Sequence, residues 1–389
     1  MERRSGRNRK SGSTIIFLSF ILASMLGTAI VFVLHARTTA QTCYQRVVDE
    51  LACRSVLAEY DIRLQRDFGI YAFRGSSSYV RDTISNYLMR SEEKNSTMFS
   101  LTGRKWSADV KGFEISDIDQ FEAQITAAAK YQFLNPGKNF TGEKCLPADS
   151  KGTLSENENR RYGRAELKNE AIISALPSYG FTTKTFDPEI PDLTADGLSG
   201  LIAKTGKTFL VNSYALSVFP CKNHPKSDRE TYLDYEIEYL IAGLFSDAGN
   251  LDKIRDYLIR LRTPINIAKI YADPVRYQKA LAEAELIAPG AGAAAAVLII
   301  ITKWAIEDSE KEAELLISGG EADGLKYRDY LLIFLSLQDR ETKLLRMMDL
   351  IQMDLRDGYY TDFLLKEHFC GFSFTAEDQE KRMLYVHTY

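Results

Sequence analysis

One uncharged segment near the N-terminus decides how this chain of 389 residues can be organised. Residues 13–36, STIIFLSFILASMLGTAIVFVLHA, carry no charged side chain between Ser13 and Leu34. A helix that crosses a bilayer needs roughly 20 apolar residues, whereas the apolar part of a secretory signal has only about 7–15. The segment therefore predicts a retained transmembrane helix. A cleaved signal is the alternative, with a weak cleavage sequence at residues 38–40, Thr-Thr-Ala.

The charges that flank this segment predict its orientation. Residues 1–12 carry five basic side chains and one acidic side chain, whereas only Arg37 and Arg46 follow the segment closely. Basic residues favour the cytoplasmic side of a membrane helix, so we expect a cytoplasmic N-terminus and an extracellular bulk. The basic arm lacks interleaved aromatic residues and adjoins the apolar segment. We therefore expect the lipid bilayer, and no nucleic acid, as its partner.

A stripe of apolar or small residues continues beyond the membrane segment. Its members recur at the three-and-four spacing of a helix: Tyr44, Val47, Val48, Leu51, Ser55, Ala58 and Ile62. No proline or glycine separates this stripe from the membrane segment. We predict one unbroken helix from about Thr14 to Arg66, about 80 Å long, with Leu51 packed against the head or a partner. Gly69 then ends the helix and leads into a β-prone run, Ile70–Phe73.

Few other segments are strand-like, and they lie near the two ends of the chain. Trp106–Ile115 alternates partly, and Phe372–Thr375 and Met383–Tyr389 have the composition of a closing hairpin. A hairpin-sized sheet is marginal in water, so we predict that these segments and Phe68–Phe73 share one sheet. Helical patterns dominate the region between them. The predicted fold class is α+β, with a transmembrane helix, a stalk helix, a small mixed or antiparallel sheet and a large helical region.

The same patterns divide the chain into six parts. They are a cytoplasmic arm (1–12), a transmembrane helix (13–36), a stalk helix with a membrane-proximal α/β part (37–135), an irregular insertion with short helices (136–226), a helical core (227–357) and C-terminal strands (358–389). A second apolar run, residues 286–306, is interrupted by Pro289, Gly290 and Lys303. Only about eleven of its residues are uninterrupted, so we predict a buried core helix there, with a membrane helix as the alternative.

Residues that could carry chemistry are sparse. Two histidine–cysteine pairs, Cys221-x-x-His224 and His368-x-Cys370, lie far apart in sequence and lack the Cys-x-x-Cys spacing of a zinc site. No nucleophile elbow, phosphate-binding loop or zinc-protease motif is present in the sequence. Carboxylates such as Glu236 and Glu238 are predicted to be solvated. We expect no catalytic residue, no metal site and no cofactor.

The five cysteines do not define a disulfide framework. Cys43 and Cys53 would lie about 15 Å apart along one helix and therefore cannot pair. A bond between Cys145 and Cys221 stays open.

Four sequence segments resemble the TadE/TadG-like single-pass membrane proteins of clostridial tight-adherence (Tad) pilus loci. They are SGSTIIFLSFIL, SVLAEYDIRLQRDFGIYAF, YLDYEIEYLIAGLFSDAGNLDKIRDYLIRLRTPIN and KYRDYLLIFLSLQDRETKLLRMMDLIQMDLR. The resemblance covers the anchor, the stalk and most of residues 230–356, but not residues 74–200. It implies a membrane-anchored component of a pilus, with other pilus or secretion-platform proteins as partners. The resemblance in these segments concerns the fold and the membrane anchor, and it includes no residue with a chemical role.

Two features of the anchor bear on that function. Gly12 follows the basic arm as a leader-processing glycine does in pilin precursors, but Phe17 stands where pilins have a glutamate. Ser19, Ala23 and Gly27 recur every four residues, a spacing that lets membrane helices approach closely. Small residues are also common in any membrane helix, so chance composition is the alternative.

The resulting expectation is a non-catalytic structural or assembly component of a Tad-type pilus or a related surface apparatus. An extracellular module that binds a ligand or a wall polymer is the alternative. The twelve-residue arm is too short to be a cytoplasmic signalling domain, and an anchored enzyme is disfavoured because the sequence has no nucleophile or metal constellation.

Overall fold

The computed structural model describes residues 8–135, 140, 169–181, 206–225, 231–378 and 381–389. Its α-helices are α1 (Asn8–Leu57), α2 (Ile62–Phe68), α3 (Ser77–Lys94), α4 (Ile118–Leu134), α5 (Glu170–Ile173), α6 (Lys207–Val218), α7 (Glu236–Ala242), α8 (Asp247–Ala272), α9 (Pro274–Ile287), α10 (Ala293–Ile317), α11 (Tyr327–Leu337) and α12 (Arg340–Gly358). Its strands are β1 (Phe73–Arg74), β2 (Lys105–Asp109), β3 (Glu321–Ala322), β4 (Leu325–Lys326), β5 (His368–Phe369), β6 (Gly371–Asp378) and β7 (Lys381–Thr388).

The chain forms two compact units. Unit 1 comprises Met1–Glu59, Gly75–Lys111 and Gly371–Thr388. Unit 2 comprises Tyr60–Arg74, Gly112–Cys370 and Tyr389. Both units combine helices with short antiparallel strands. The α+β class predicted from the sequence is therefore confirmed.

Unit 1 is built on α1, a single helix of 50 residues. The apolar window of its Thr14–Leu57 portion is entirely exposed, and this portion is long and apolar enough to cross a membrane. By length and composition this helix is a membrane anchor or a signal sequence. Its C-terminal half is different, because Ala52, Cys53 and Val56 are buried in unit 1.

A three-stranded antiparallel sheet with the order β2-β6-β7 completes unit 1. Ser107 pairs with Thr375, and Phe374 pairs with Tyr385. Phe374 is fully buried. The prediction that the Trp106 segment and both C-terminal segments share one sheet is therefore confirmed.

The predicted place of Phe68–Phe73 in that sheet is wrong. Phe68 is the last residue of helix α2, and only Phe73 and Arg74 form a strand. This strand, β1, pairs with β5 inside unit 2. The aromatic composition of the segment reflects burial in unit 2, where Phe68 and Phe73 are fully enclosed, and not extended structure.

The prediction of an unbroken helix through Arg66 is also wrong. Helix α1 ends at Leu57, and α2 begins at Ile62. The side chain of Asp61 accepts hydrogen bonds from the backbone N–H groups of Arg63 and Leu64, which is the geometry of an N-cap. The Asp61 side chain therefore starts a new helix where the sequence pattern predicts a continuous one.

Gly69 ends α2, as its position in the sequence predicts. Its φ of 68° lies in the left-handed region. A Cβ at this position would lie 2.5 Å from the Phe140 ring. Only glycine fits this conformation and this close contact without displacing its neighbours.

The buried face of α1 lies beside the predicted stripe. Val47 and Leu51 are 54% and 57% exposed, so Leu51 is not buried within unit 1, and its packing against a partner stays a prediction. The buried positions Asp49, Ala52 and Val56 each follow a residue of the predicted stripe by one position. A charged residue therefore lies on the packed face, and the pattern of apolar residues could not include it.

Helix α12 is enclosed within unit 2. Every residue from Thr342 to Leu355 is buried, although the segment includes several charged side chains. A helix enclosed on all sides is normally apolar throughout. The charges of α12 therefore require partners inside unit 2.

Helices α9 and α10 form a hairpin that packs with Ile270 of α8 around a separate small core. Ala284 on α9 and Ala296 and Ile301 on α10 belong to this core. The opposite face of α10 is open, since Leu298 and Ile299 are 54% and 69% exposed. The predicted burial of residues 286–306 therefore holds for only one face of the helix.

Candidate functional site

The predicted packing residues lie on one exposed side of α1. Ser19, Ala23 and Gly27 are all exposed, and nothing lies within 4 Å of a Cβ built on Gly27. The Ser19 hydroxyl donates to the Ile16 carbonyl at 2.7 Å, so its polar group is satisfied within the helix. This face is therefore open to close approach by another helix. Gly12 also lies within α1, and leader processing there stays a prediction.

A buried ion pair fixes the C-terminal half of α1 to the sheet of unit 1. The Nη2 atom of Arg104 lies 2.8 Å from Oδ2 of Asp49, and the two side chains are 2% and 0% exposed. The Tyr385 hydroxyl on β7 donates to the same carboxylate oxygen at 3.4 Å. The guanidinium also lies over the Phe99 ring, 5.5 Å from its centroid. The helix, the β2 end of the sheet and strand β7 thus meet at one carboxylate.

Two opposing influences act on the pKa of Asp49 in this cluster. Burial raises the pKa of Asp49, and the hydrogen bond and charge of Arg104 lower it part of the way back. Within the described residues, Oδ1 of Asp49 and the Nε and Nη1 atoms of Arg104 have no hydrogen-bond partner. Buried polar atoms without partners are costly, so removing either charge leaves the other without compensation.

Sequence reasoning missed this cluster. Asp49 lies between Val48 and Ala52 at the spacing of the buried face, which is the signal that could have revealed it. Its partner Arg104 is 55 residues away. Local periodicity contains no information about such a distant partner.

Charged side chains of α12 stabilise unit 2 from inside. Arg346 donates to the carbonyl oxygens of Leu240 and Ile241 at 2.9 and 2.7 Å, near the C-terminus of α7. A cation at this end of a helix satisfies carbonyl groups that have no partner in the helix. Gly243, the C-cap of α7, lies directly against the Arg346 guanidinium, and a side chain there would displace it.

Two other ionisable residues of α12 are equally enclosed. Lys343 Nζ donates to Asn212 Oδ1 at 2.6 Å and to the Leu335 carbonyl at 2.8 Å. Burial lowers the pKa of Lys343 to about 8. Asp349 accepts a hydrogen bond from the Tyr239 hydroxyl at 3.0 Å, and burial raises its pKa to about 6. Both groups are held by polar partners inside unit 2.

The predicted solvation of Glu236 and Glu238 is wrong. Both carboxylates are fully buried at the start of α7. Glu238 accepts hydrogen bonds from the Lys222 N–H at 3.0 Å and from the Tyr327 hydroxyl at 2.8 Å. Burial raises the pKa of Glu238 to about 7. Tertiary contacts enclose these residues, and their sequence neighbours do not reveal this.

The histidine–cysteine pairs occupy structural positions. Cys221 and His224 bridge a short turn, and the thiol of Cys370 donates to Gln120 Oε1 at 3.4 Å. His368 is 1% exposed and its Nδ1 contacts the Leu364 carbonyl oxygen at 2.9 Å. Across the described residues, no group of three or more His, Cys, Asp or Glu side chains could hold a metal ion.

The described cysteines are free thiols. Cys43 is exposed, whereas Cys53, Cys221 and Cys370 are buried. Cys145 lies outside the described residues, as does most of the polar segment around it.

Unit 2 also contains a cleft of about 310 Å³. Its lining includes Ile118, Leu176, Phe181, Gln352 and Lys366. The mixture of apolar side chains with an amide and one cation would suit a small ligand with an apolar body and an anionic group.

A comparison with known proteins gives one family match. The model of a family of unknown function, DUF5702, matches residues 164–323 and 318–379, which together are more than half of the chain. No curated protein and no solved structure matches. The match covers most of unit 2 and strand β6, and it lies outside α1.

Proposed function

The chain belongs to the DUF5702 family, and we propose that it is a membrane-anchored extracellular structural or assembly component of a Tad-type pilus or a related surface apparatus. In this proposal the apolar half of α1 is a retained anchor. The N-terminus is cytoplasmic, and unit 2 and the part of unit 1 beyond the anchor lie outside the cell.

The observation that carries the proposal is the continuity of α1. The same 50-residue helix provides the apolar window and the buried face of unit 1. A helical rod without an internal break transmits position and orientation, whereas a flexible linker would not. An anchor connected in this way suits a component that must hold a fixed orientation within an assembly.

The buried ion pair supports the same role. Arg104 and Asp49 hold α1 against the sheet with a charge-assisted bond of 2.8 Å. Because breaking one side of a buried pair is costly, the helix and the sheet are expected to move together. Force or torque applied to the anchor would then reach unit 1 directly.

The Ser19, Ala23 and Gly27 face provides a surface for lateral packing. Small residues every four positions let two helix backbones approach closely in a membrane. In this proposal, membrane helices of pilus or secretion-platform proteins pack there. The exposure of all three residues is consistent with that role.

Site-specific photo-crosslinking in the native membrane tests the proposal. A photoreactive residue at Ala23 should give crosslinks to a pilin-like or platform protein encoded in the same locus. The matched control is Met25, which is 65% exposed and lies on the other side of α1. Deletion of the gene should also remove the surface apparatus.

Two results would reject the structural role. One is equal crosslinking yields at Ala23 and Met25. The other is an intact surface apparatus in the deletion strain.

An extracellular binding module is the second candidate function. The cleft of unit 2 lined by Phe181, Gln352 and Lys366 is the observation that favours it. Soluble wall fragments should then bind the full chain in detergent, and Lys366→Ala should weaken that binding. Retained assembly of the surface apparatus in the Lys366→Ala strain would separate the two functions.

A further inference from the structure

The tip of the α9–α10 hairpin exposes large apolar side chains. Leu286 and Ile287 on α9 are 85% and 72% exposed, and Leu298 and Ile299 on α10 are 54% and 69% exposed. Single exposed apolar residues are common on soluble proteins, but a contiguous group marks an interaction surface. The question is what covers this tip.

The turn and the α10 side of the tip carry no charge. No charged residue occurs from Leu286 through Thr302, and the connecting turn is Pro289–Gly292. The exposed acidic residue nearest to the turn is Glu285, whose carboxylate accepts a hydrogen bond from the Gly290 N–H at 3.5 Å. A helix that docks on a protein is usually apolar along one face. On α9 the charge-free part is short, because Glu283 and Glu285 lie within about one turn of its end. The turn and the start of α10 are therefore the part that suits immersion in an apolar medium.

Part of the backbone of the turn is hydrogen-bonded within the hairpin. Lipid offers no hydrogen bonds, so backbone groups must be satisfied within the protein. The Ala288 N–H bonds to the Ala284 carbonyl at 2.9 Å, and the Ala293 N–H bonds to the Gly290 carbonyl. Ala284 and Ala296 also pack in a core that the hairpin shares with Ile270 of α8. The tip is thus folded before it meets any partner.

The length of the charge-free part fixes how deeply it can insert. The ten residues from Ala293 to Thr302 on α10 measure about 15 Å along the helix. The hydrocarbon core of a bilayer is about 30 Å thick. Both helices leave the tip on the same side because they form a hairpin. On α9, however, Glu285 limits the charge-free part to Leu286 and Ile287. The tip can therefore enter only the headgroup side of one leaflet and cannot span the membrane.

An aromatic and cationic belt lies at the base of the charge-free part. Trp304 follows Lys303, the first charged residue of α10. The Arg276 guanidinium and the Lys279 ammonium lie 6.0 and 5.4 Å from the Trp304 ring centroid. Tryptophan and basic side chains are typical of the membrane–water interface, where the ring contacts the acyl boundary and the cations contact phosphates.

We propose that the tip of the α9–α10 hairpin inserts into one leaflet of a lipid bilayer and attaches unit 2 to the membrane as a monotopic anchor. The occupant is lipid because the uncharged turn, the exposed apolar side chains beside it and the belt around Trp304 all fit the interfacial part of a leaflet. The chain also carries its own candidate anchor, so a bilayer is always close. This attachment goes beyond the structural role proposed above.

Depth-dependent fluorescence quenching of the full chain in proteoliposomes tests the insertion. The background replaces the exposed Cys43 and also Cys145 with serine, and the described cysteines that remain are buried. An environment-sensitive fluorophore is then attached at Leu286→Cys. The matched control is Gln278→Cys, which is exposed on α9 nearer its other end. A label at Leu26→Cys reports insertion of α1 itself.

The expected result is a blue-shifted emission at position 286. Lipids brominated on the acyl chain should quench it about threefold more than the control at position 278, because an inserted tip lies about 5–10 Å below the headgroups. Iodide in the aqueous phase should quench the control more strongly.

Equal iodide quenching at Leu286→Cys and Gln278→Cys would overturn the proposal, because the tip would then be in water. Protection from iodide without quenching by brominated lipid would also overturn it, since a protein or a second copy would then cover the tip. The label at Leu26→Cys separates these outcomes from a failure of the anchor. If brominated lipid quenches that label and not the label at 286, only the hairpin proposal fails.

Discussion

Removing the charge of Arg104 should strongly destabilise unit 1 while leaving unit 2 folded. We consider Arg104→Met, which keeps the length of the side chain and removes its charge. Asp49 is then left fully buried without its partner at 2.8 Å. Breaking one side of a buried pair typically costs about 3–5 kcal/mol. Only the 3.4 Å hydrogen bond from Tyr385 remains to compensate the carboxylate.

The assay is hydrogen exchange of the full chain in detergent, which reports each unit separately. Amides of β6, whose Phe374 is fully buried, should lose protection. Amides of α12 in unit 2 should keep theirs. The double variant Asp49→Leu/Arg104→Met is the matched control, because replacing both charges with apolar side chains is often neutral. It should recover most of the lost stability.

The loss should also depend on pH. Burial raises the pKa of Asp49 above its ordinary value of 3.8, and Arg104 is the main opposing influence. Without Arg104 the pKa of the folded state rises further. A carboxyl whose folded pKa is raised is stabilising below its unfolded pKa and loses that contribution as pH rises through the window between the two values. The deficit of Arg104→Met relative to the wild type should therefore shrink between pH 7 and pH 4. Unchanged protection of β6 at pH 7, or a deficit that grows on acidification, would refute this reasoning.

Three further predictions concern single positions. Gly69→Ala should destabilise the protein by about 1–3 kcal/mol more than Gly112→Ala in urea unfolding. Both glycines have a positive φ, but only Gly69 has an aromatic ring where a Cβ would lie. Equal losses of stability would contradict this prediction. In the same assay, Val56→Ala should lower the free energy of unfolding by about 2 kcal/mol and Leu51→Ala by less than about 0.5 kcal/mol. Val56 is fully buried, whereas Leu51 is exposed. The reverse order would show that the stripe predicted from the sequence is the packed face. Burial raises the pKa of the Glu238 carboxyl from 4.5 to about 7, so the wild type should lose stability as pH rises through that window. Glu238→Gln should therefore be more stable relative to the wild type at pH 8 than at pH 5. Parallel curves of stability against pH for the two proteins would show that the carboxyl is not buried.

The sheet of unit 1 could be predicted because its strands are locally distinctive. Phe374 and Tyr385 lie in aromatic, β-prone segments, and the helical region between the ends of the chain offers few competing strands. With so few candidates, pairing across almost the whole chain was the simplest arrangement. Phe68 misled the same reasoning, because an aromatic residue fits a buried helix end as well as a strand.

The packed face of α1 could not be predicted from periodicity. Asp49 is buried because a distant arginine compensates it, and a hydrophobic pattern excludes a charged residue by construction. The end of α1 was missed for a related reason. The capping bonds of Asp61 depend on backbone geometry that is not visible in the order of apolar residues.

The buried charges of unit 2 illustrate the same limit. Arg346 and Asp349 on α12 are enclosed because α7 supplies partners more than 100 residues away. Their sequence neighbours give an ordinary amphipathic pattern. The open tip around Ile299 shows the opposite case, since an apolar run predicts burial but does not identify what buries it.

Retention and orientation of α1 are the central claim, and labelling of intact cells with a membrane-impermeant maleimide tests them most directly. In the background without Cys43 and Cys145, the account predicts that Gln278→Cys reacts in intact cells, whereas Ser5→Cys reacts only after lysis. Both proteins should remain in the membrane at the size of the full chain of 389 residues. Reaction of Ser5→Cys in intact cells would reverse the topology. Release of a shorter Gln278→Cys product into the medium would show that α1 is a cleaved signal, and the account would be contradicted.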